Sequence, residues 1–277
     1  MRRILLASAI VVAFFVAVAS VSAFDEFNLW PDVAPGEKDD AAKPTYEYWK
    51  PAEKTSDVCM IVCPGGAYEE RNADYGIAEY FNSKGITAVV LKYRVPRREG
   101  LPKHLAAWQD AQRMVRVARS NAEKWGINPD KIGITGFSAG AHLALTIATT
   151  SGKASYEPID ELDKIPCNVN FAAPVYPAYV LEDGANGPNT AKGNDSPMVD
   201  DFAFDDKTPP MCLLHGDADA YSPMGSVAVY RKLREMNVPV ELHIYANVTH
   251  GFVAVKNDPH FSDWLDRVYA WMKSLGL

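Results

Sequence analysis

From residue 57 onward the sequence alternates between two patterns, and this alternation limits the possible folds more than any other feature. Short apolar, β-prone runs lie at 58–63, 86–93, 131–135, 168–176, 210–215 and 238–245. Segments with helical spacing separate most of them, at 73–84, 104–125, 138–149 and 223–236, and a last one closes the chain at 261–275. A strand that is apolar without alternating is covered on both faces, as parallel strands flanked by helices are. Strand and helix in this rhythm build βαβ units. The expected fold class is therefore α/β, with a mostly parallel central sheet and helices on both faces. Residues 24–56 precede the rhythm and read as an edge strand or hairpin. No linker and no internal repeat divides the chain, so one domain is expected over 24–277. Two long loops, 151–166 and 181–208, are expected to surround the functional site, because ligands of such sheets bind at the carboxyl ends of the strands.

The first 23 residues differ in composition. Arg2 and Arg3 lead into an apolar stretch over 4–18 broken only by Ser8, and small residues stand at 21 and 23. This is the layout of a secretory signal peptide. The competing reading is an uncleaved anchor, since residues 4–23 just span a bilayer. Export to the periplasm or the exterior is expected, with no stable membrane partner once the leader is removed. The 28 basic and 35 acidic residues leave a net charge of −7, which argues against a nucleic-acid partner. The densest basic stretch, 94–98, holds three arginines and reads as a solvated loop.

Export would permit disulfides. Yet Cys59, Cys63 and Cys212 lie in strand-like runs, and positions i and i+4 of one strand are about 13 Å apart, too far to bridge. These three and Cys167 read as small buried apolar residues. No His/Cys spacing typical of a metal site appears, so neither metal nor cofactor is expected.

The chemistry is expected at the strand ends. Gly136-Phe137-Ser138-Ala139-Gly140 stands between a strand and a helix, the context a nucleophile elbow requires. Ser138 is the candidate nucleophile, and a serine hydroxyl needs a base to react near neutral pH. Of six histidines, His250 stands in a loop between the last strand and the last helix, from which it can reach the elbow. It is the candidate base. His215, Gly216, Asp217, Ala218 and Asp219 follow one another at the end of the 210–215 run. Asp219 is the candidate partner for the histidine, and Asp217 the other carboxylate, suited to bracing the turn. An oxyanion hole needs convergent N–H groups. Ala139 supplies one, and Gly66 or Ala67, in Pro64-Gly65-Gly66-Ala67-Tyr68, should supply the rest. Tyr68, Tyr176, Tyr179 and Tyr221 lie beside these motifs, and their aromatic faces would suit sugar rings or ordinary packing alike.

The motifs extend into a longer match. Leu29-Trp30-Pro31, PGGAY at 64–68, VLKYRVP at 90–96, the stretch 110–144, VYPAY at 175–179, HGDADAYSP at 215–223 and THGF at 249–252 together cover most of the chain beyond its leader. With these the chain resembles the α/β-hydrolase superfamily, and within it the secreted bacterial esterases related to acetyl xylan and feruloyl esterases. The resemblance implies a Ser138, Asp219, His250 triad. Relatives often have a third glycine where Ala67 stands and a valine where Ser222 stands. The activity it implies is deacetylation of plant or algal polysaccharide, so the expected partner is an acylated carbohydrate or other small ester. A feruloyl esterase, a general carboxylesterase, a peptidase of the same fold and, more remotely, a non-catalytic binding protein are the alternatives.

Overall fold

A computed structural model describes residues 24–38, 43–73, 75–190 and 195–277. The leader expected over 1–23 lies outside them. Among the described residues no helix is long and apolar enough to cross a membrane.

Eight strands form one sheet: β1 (Asp25–Asn28), β2 (Thr45–Trp49), β3 (Cys59–Cys63), β4 (Thr87–Lys92), β5 (Ile132–Phe137), β6 (Phe171–Val175), β7 (Met211–Gly216) and β8 (Val240–Tyr245). Their order across the sheet is β1-β2-β4-β3-β5-β6-β7-β8. The lead-in forms β1 and β2, each pairing antiparallel with its neighbour, as the edge-strand or hairpin reading anticipates. From β4 across to β8 every pairing is parallel. Burial follows this order. Every residue of β3, β5, β6 and β7 is buried, β1 is exposed throughout, and β8 at the other edge is largely half-exposed.

The helices are α1 (Ile77–Ser83), α2 (Leu105–Ser120), α3 (Ala122–Trp125), α4 (Ala139–Thr149), α5 (Met224–Glu235) and α6 (Trp264–Ser274). Successive strand residues point to opposite faces, so each buried strand serves two cores. Cys59, Ile61 and Cys63 join α2, α4 and α5 on one face, through Met114, Leu143 and Val229. Met60 and Val62 join α1 and α6 on the other, through Phe81, Val268 and Trp271. All four cysteines are free and buried. Burial pushes the Cys59 thiol up to about 12, so it serves as apolar filling.

Three segments differ from the sequence reading. The helix expected over 73–84 begins only at Ile77, because Tyr75 (φ 56) and Gly76 (φ 79) are left-handed and interrupt it. The segment 104–125 breaks into α2 and α3 at Asn121, whose side-chain amide donates to the Val117 carbonyl at 2.8 Å, a local bond that competes with the helix ladder. Of the three arginines of 94–98, Arg97 is exposed as a solvated loop requires, but Arg94 and Arg98 are not. Arg94 is 3% exposed, and its backbone N–H and its Nε donate to the buried Asp110 carboxylate at 2.8 and 3.0 Å. Arg98 is held by Glu37.

The long loops also depart from expectation. Residues 151–166 pack against α2, where both terminal nitrogens of Arg113 donate to Asp160 at 2.6 Å. Arg113 also reaches Asp163, and Gln112 meets Ser155. The 181–208 segment braces the loop after β7 through Asn189, which accepts the Ser222 N–H at 2.8 Å and donates its own to the Ala220 carbonyl at 2.9 Å. Its Asp201 lies against α4. No described residue of either loop lines the pocket at Ser138. Buried polar groups on α2, α4 and the β7 loop draw these segments to the flank of the sheet instead.

Candidate active site

The elbow is a steric consequence of its glycines. β5 ends at Phe137, Ser138 turns the chain at φ 59 and ψ −122, and α4 begins at once. A Cβ on Gly136 would lie 2.4 Å from the Gly140 carbonyl oxygen, and one on Gly140 would lie 2.0 Å from that of Cys63. Only bare Cα atoms let the helix start this close to β3. Such a backbone costs on the order of 1–3 kcal/mol and persists only where its surroundings over-determine it. Here they do. The Ser138 N–H donates to Val175, and the Ser138 carbonyl accepts from Ala141, His142 and Ala178, all between 3.0 and 3.2 Å.

The loops after β7 and β8 bring two side chains to this serine. His250 Nε2 is 2.8 Å from Ser138 Oγ. His250 Nδ1 is 2.8 and 2.9 Å from the two oxygens of Asp219. A carboxylate only accepts, so Nδ1 carries the proton and Nε2 is free to accept from the serine. The two loops are laced together. Asp217 accepts the Asn247 N–H, and the Ala218 N–H donates to Val248 at 3.1 Å. Thus Asp217 braces a turn, but the turn it braces is the one carrying His250.

Asp219 has more partners than the sequence reading assigned. It accepts the Tyr221 N–H at 2.7 Å, and His215 Nε2 lies 3.5 Å away. Desolvation pushes the Asp219 carboxyl up. The imidazoles of His215 and His250 outweigh it, so the group ends below the ordinary carboxylate value and stays ionised. His215 is fully buried and donates from Nε2 to the Tyr221 carbonyl at 2.9 Å, so its Nδ1 accepts from Ser226 Oγ at 2.8 Å. It is a strut under the acid loop. Its position at a strand end gave no hint of that, because its partner Ser226 lies a helix turn into α5.

The strip 64–68 forms the opposite wall. Gly66 has φ 125, and a Cβ there would meet the Glu70 carbonyl oxygen at 2.2 Å. Ala67 (φ 57) and Tyr68 (φ 64) follow in the left-handed region. Ala67 therefore adopts a glycine-like backbone, at a cost of about 1–2 kcal/mol. Gly66 and Ala67 line a pocket of about 350 Å³ with Ser138, His250, Tyr176 and Tyr221, while Ala139 begins α4 directly behind the serine.

Of the candidate tyrosines, Tyr176 and Tyr221 line this pocket and pack edge-on or tilted against His250, each with ring centroids 4.9 Å away. Tyr68 does not line it. Its left-handed backbone turns the ring inward, where it is 1% exposed and its hydroxyl is 2.9 Å from His142 Nδ1. Tyr179 is buried as well, stacked on Tyr68 and edge-on to Tyr221. The sequence reading also left out Tyr75, Asn72 and Glu70, which complete the mouth of the pocket.

Comparison with known proteins finds esterases and xylan-degrading enzymes. Residues 47–179 match the family model BD-FAE. The chain is 28% identical over 229 residues to an endo-1,4-β-xylanase B of Butyrivibrio fibrisolvens, covering 78% of this chain and 36% of that protein. It is 25% identical over 240 residues to an acetylxylan esterase of Xylanibacter ruminicola, covering 80% of this chain and 47% of that protein. The chain thus spans about half or less of the length of these curated relatives. Among solved structures it is similar to an acetyl ester-xyloside bifunctional hydrolase from Caldicellulosiruptor lactoaceticus, at 27% identity and a TM-score of 0.72, covering 91% of this chain and 96% of the other. With the sheet order, the elbow after β5 and these similarities in view, the chain has the α/β-hydrolase fold, and the proteins it resembles include esterases.

Proposed function

We propose that this protein is an exported serine esterase that removes acetyl or similar small acyl groups from polysaccharide. The observation that carries the reading is the unbroken relay from Asp219 through His250 to Ser138 Oγ, with both contacts at 2.8 Å. Ser138 Oγ attacks the ester carbonyl as His250 Nε2 takes its proton. Asp219, already ionised, holds the imidazole in the required tautomer and stabilises the imidazolium. The charge that develops on the carbonyl oxygen is met by the N–H groups of Ala139 and of Gly66 or Ala67, each worth about 3 kcal/mol in the transition state. The alcohol leaves with the proton from His250. Water, activated by the same histidine, then releases the acid.

The size of the pocket supports a compact acyl group. A volume of about 350 Å³ lies at the small end of ligand sites, and Tyr176, Tyr221 and Phe137 narrow it around Ser138. The name of the acetylxylan esterase among the similar proteins supports acetyl as the acyl group. The names of the xylan-degrading relatives support a carbohydrate alcohol, and the composition of residues 1–23 supports export. Release of acetate from acetylated xylan is measured against hydrolysis of methyl ferulate, for the wild type and Ser138→Ala. Deacetylation that disappears in the variant is expected. Faster turnover of the ferulate, or acetate release that survives Ser138→Ala, would reject the reading.

A further inference from the structure

Behind the elbow lies a second polar cluster that the relay does not use. His142 stands one turn into α4 and is fully buried, and His104 precedes α2 at 5% exposed. Both turn a ring nitrogen to the same oxygen of Asp201 in the 181–208 segment. His142 Nε2 is 3.3 Å and His104 Nδ1 3.5 Å from Asp201 Oδ2, and the two nitrogens lie within 4.8 Å of each other. Asp201 faces both nitrogens at these distances, but neither makes a well-aligned hydrogen bond among the described residues. Buried polar atoms without partners are rare, and each calls for a physical reason.

The geometry points to a site for a divalent first-row cation of the zinc type, held by His104 Nδ1, His142 Nε2 and Asp201 Oδ2. Tetrahedral zinc with bonds near 2.05 Å sets its ligand atoms about 3.3 Å apart. The two nitrogen–carboxylate separations match that edge, yet they exceed an ordinary hydrogen bond. Two imidazoles and a carboxylate select zinc, cobalt or nickel over magnesium or calcium. His104 and Asp201 line a cleft of about 540 Å³, from which water would supply a fourth ligand. The cations at that cleft do not forbid a metal: Arg97 is paired with Glu69 and Arg98 with Glu37, which leaves Lys103 at the rim.

The fourth feature is the far nitrogen of His142. With a metal on Nε2, Nδ1 carries the proton and donates to the Tyr68 hydroxyl 2.9 Å away, the outer contact that orients histidine ligands. A bound cation would thereby tie three separate segments together and steady the 64–68 strip from behind.

Zinc(II) is titrated by calorimetry into the full chain, stripped with chelator and free of any polyhistidine tag. Cobalt(II) is followed in parallel by visible absorption. One cation per chain, a four-coordinate cobalt spectrum and a raised Tm are expected. Asp201→Asn and His104→Ala should each weaken binding by more than about 100-fold, and Tyr68→Phe by about 10- to 100-fold. Asp201 is partly exposed and its replacement is isosteric, so that variant stays decisive if His104→Ala fails to fold. Absence of saturable binding, or unchanged affinity in Asp201→Asn, overturns the site. So does loss of binding in His243→Ala alone, which would move the metal to Cys212, Glu241 and His243 on β7 and β8.

Discussion

The Cα of Gly140 faces the Cys63 carbonyl so closely that an added methyl carbon would stand 2.0 Å from that oxygen. The atom in the way is backbone at the end of a central strand and cannot swing aside. Gly140→Ala is therefore expected to push α4 away from β3 and carry Ser138 with it. Overpacking of this kind costs about 1–3 kcal/mol or more. Thermal unfolding should report that loss, and kcat on an aryl acetate should fall further than the stability change alone explains. An alanine variant with wild-type kcat would contradict this account of the elbow.

The two carboxylates after β7 should separate cleanly by mutation. Asp219 touches His250 and Asp217 touches only backbone. Asp219→Asn removes the group that sets the imidazole tautomer, and kcat should fall by about 10⁴-fold. Asp217→Asn loosens the loop that carries His250, so a decline of about tenfold or less is expected. Equal losses in the two variants would refute the division of labour.

The acid limb of the rate profile tests the same pair. The Asp219 carboxyl is held below its ordinary value, so it stays charged as the pH falls from neutral into the mildly acid range. General-base catalysis by an imidazole needs the neutral ring, because a protonated imidazole cannot accept a proton from Ser138. Activity is lost as pH falls and regained as it rises. A plot of log kcat/KM against pH should descend with a slope of about one. A slope of two would mean that Asp219 titrates together with its partner.

Asp110 offers a test far from the chemistry. Its carboxylate is fully buried and accepts from Arg94 and from Trp30 Nε1 at 2.8 Å. Asp110→Ala would leave the buried Arg94 guanidinium with Glu37, 3.2 Å away, as its remaining carboxylate, a loss of about 3 kcal/mol. Urea unfolding of the two proteins would measure it, and a change below about 1 kcal/mol would place Arg94 in solvent after all.

Much of this was legible in the residues. Runs such as CMIVC at 59–63 are apolar at every position, and that pattern already implies a strand covered on both faces. The elbow was readable because Gly136 and Gly140 are needed by local sterics, which a five-residue motif records. What stayed hidden depends on contacts between distant segments. Arg94 looked solvated because its acid stands sixteen residues away, on a helix that packs across its backbone. His215 and Tyr68 turn inward because Ser226 and His142 wait for them on other elements. The long loops carry no periodicity, so nothing local says which flank of the sheet they will cover.

The sheet order has one more consequence. Ser138 leaves β5, which has paired strands on both sides, whereas His250 follows β8, an edge strand that among the described residues pairs with β7 alone. The nucleophile is thus anchored on a fully buried central strand and its base beside a half-exposed edge, where local opening is expected to come first. Mild heating would then unhook the histidine while the centre of the sheet remains closed, and catalysis would fade reversibly before the protein melts. Amide hydrogen exchange across β8 and β5 would register that order directly.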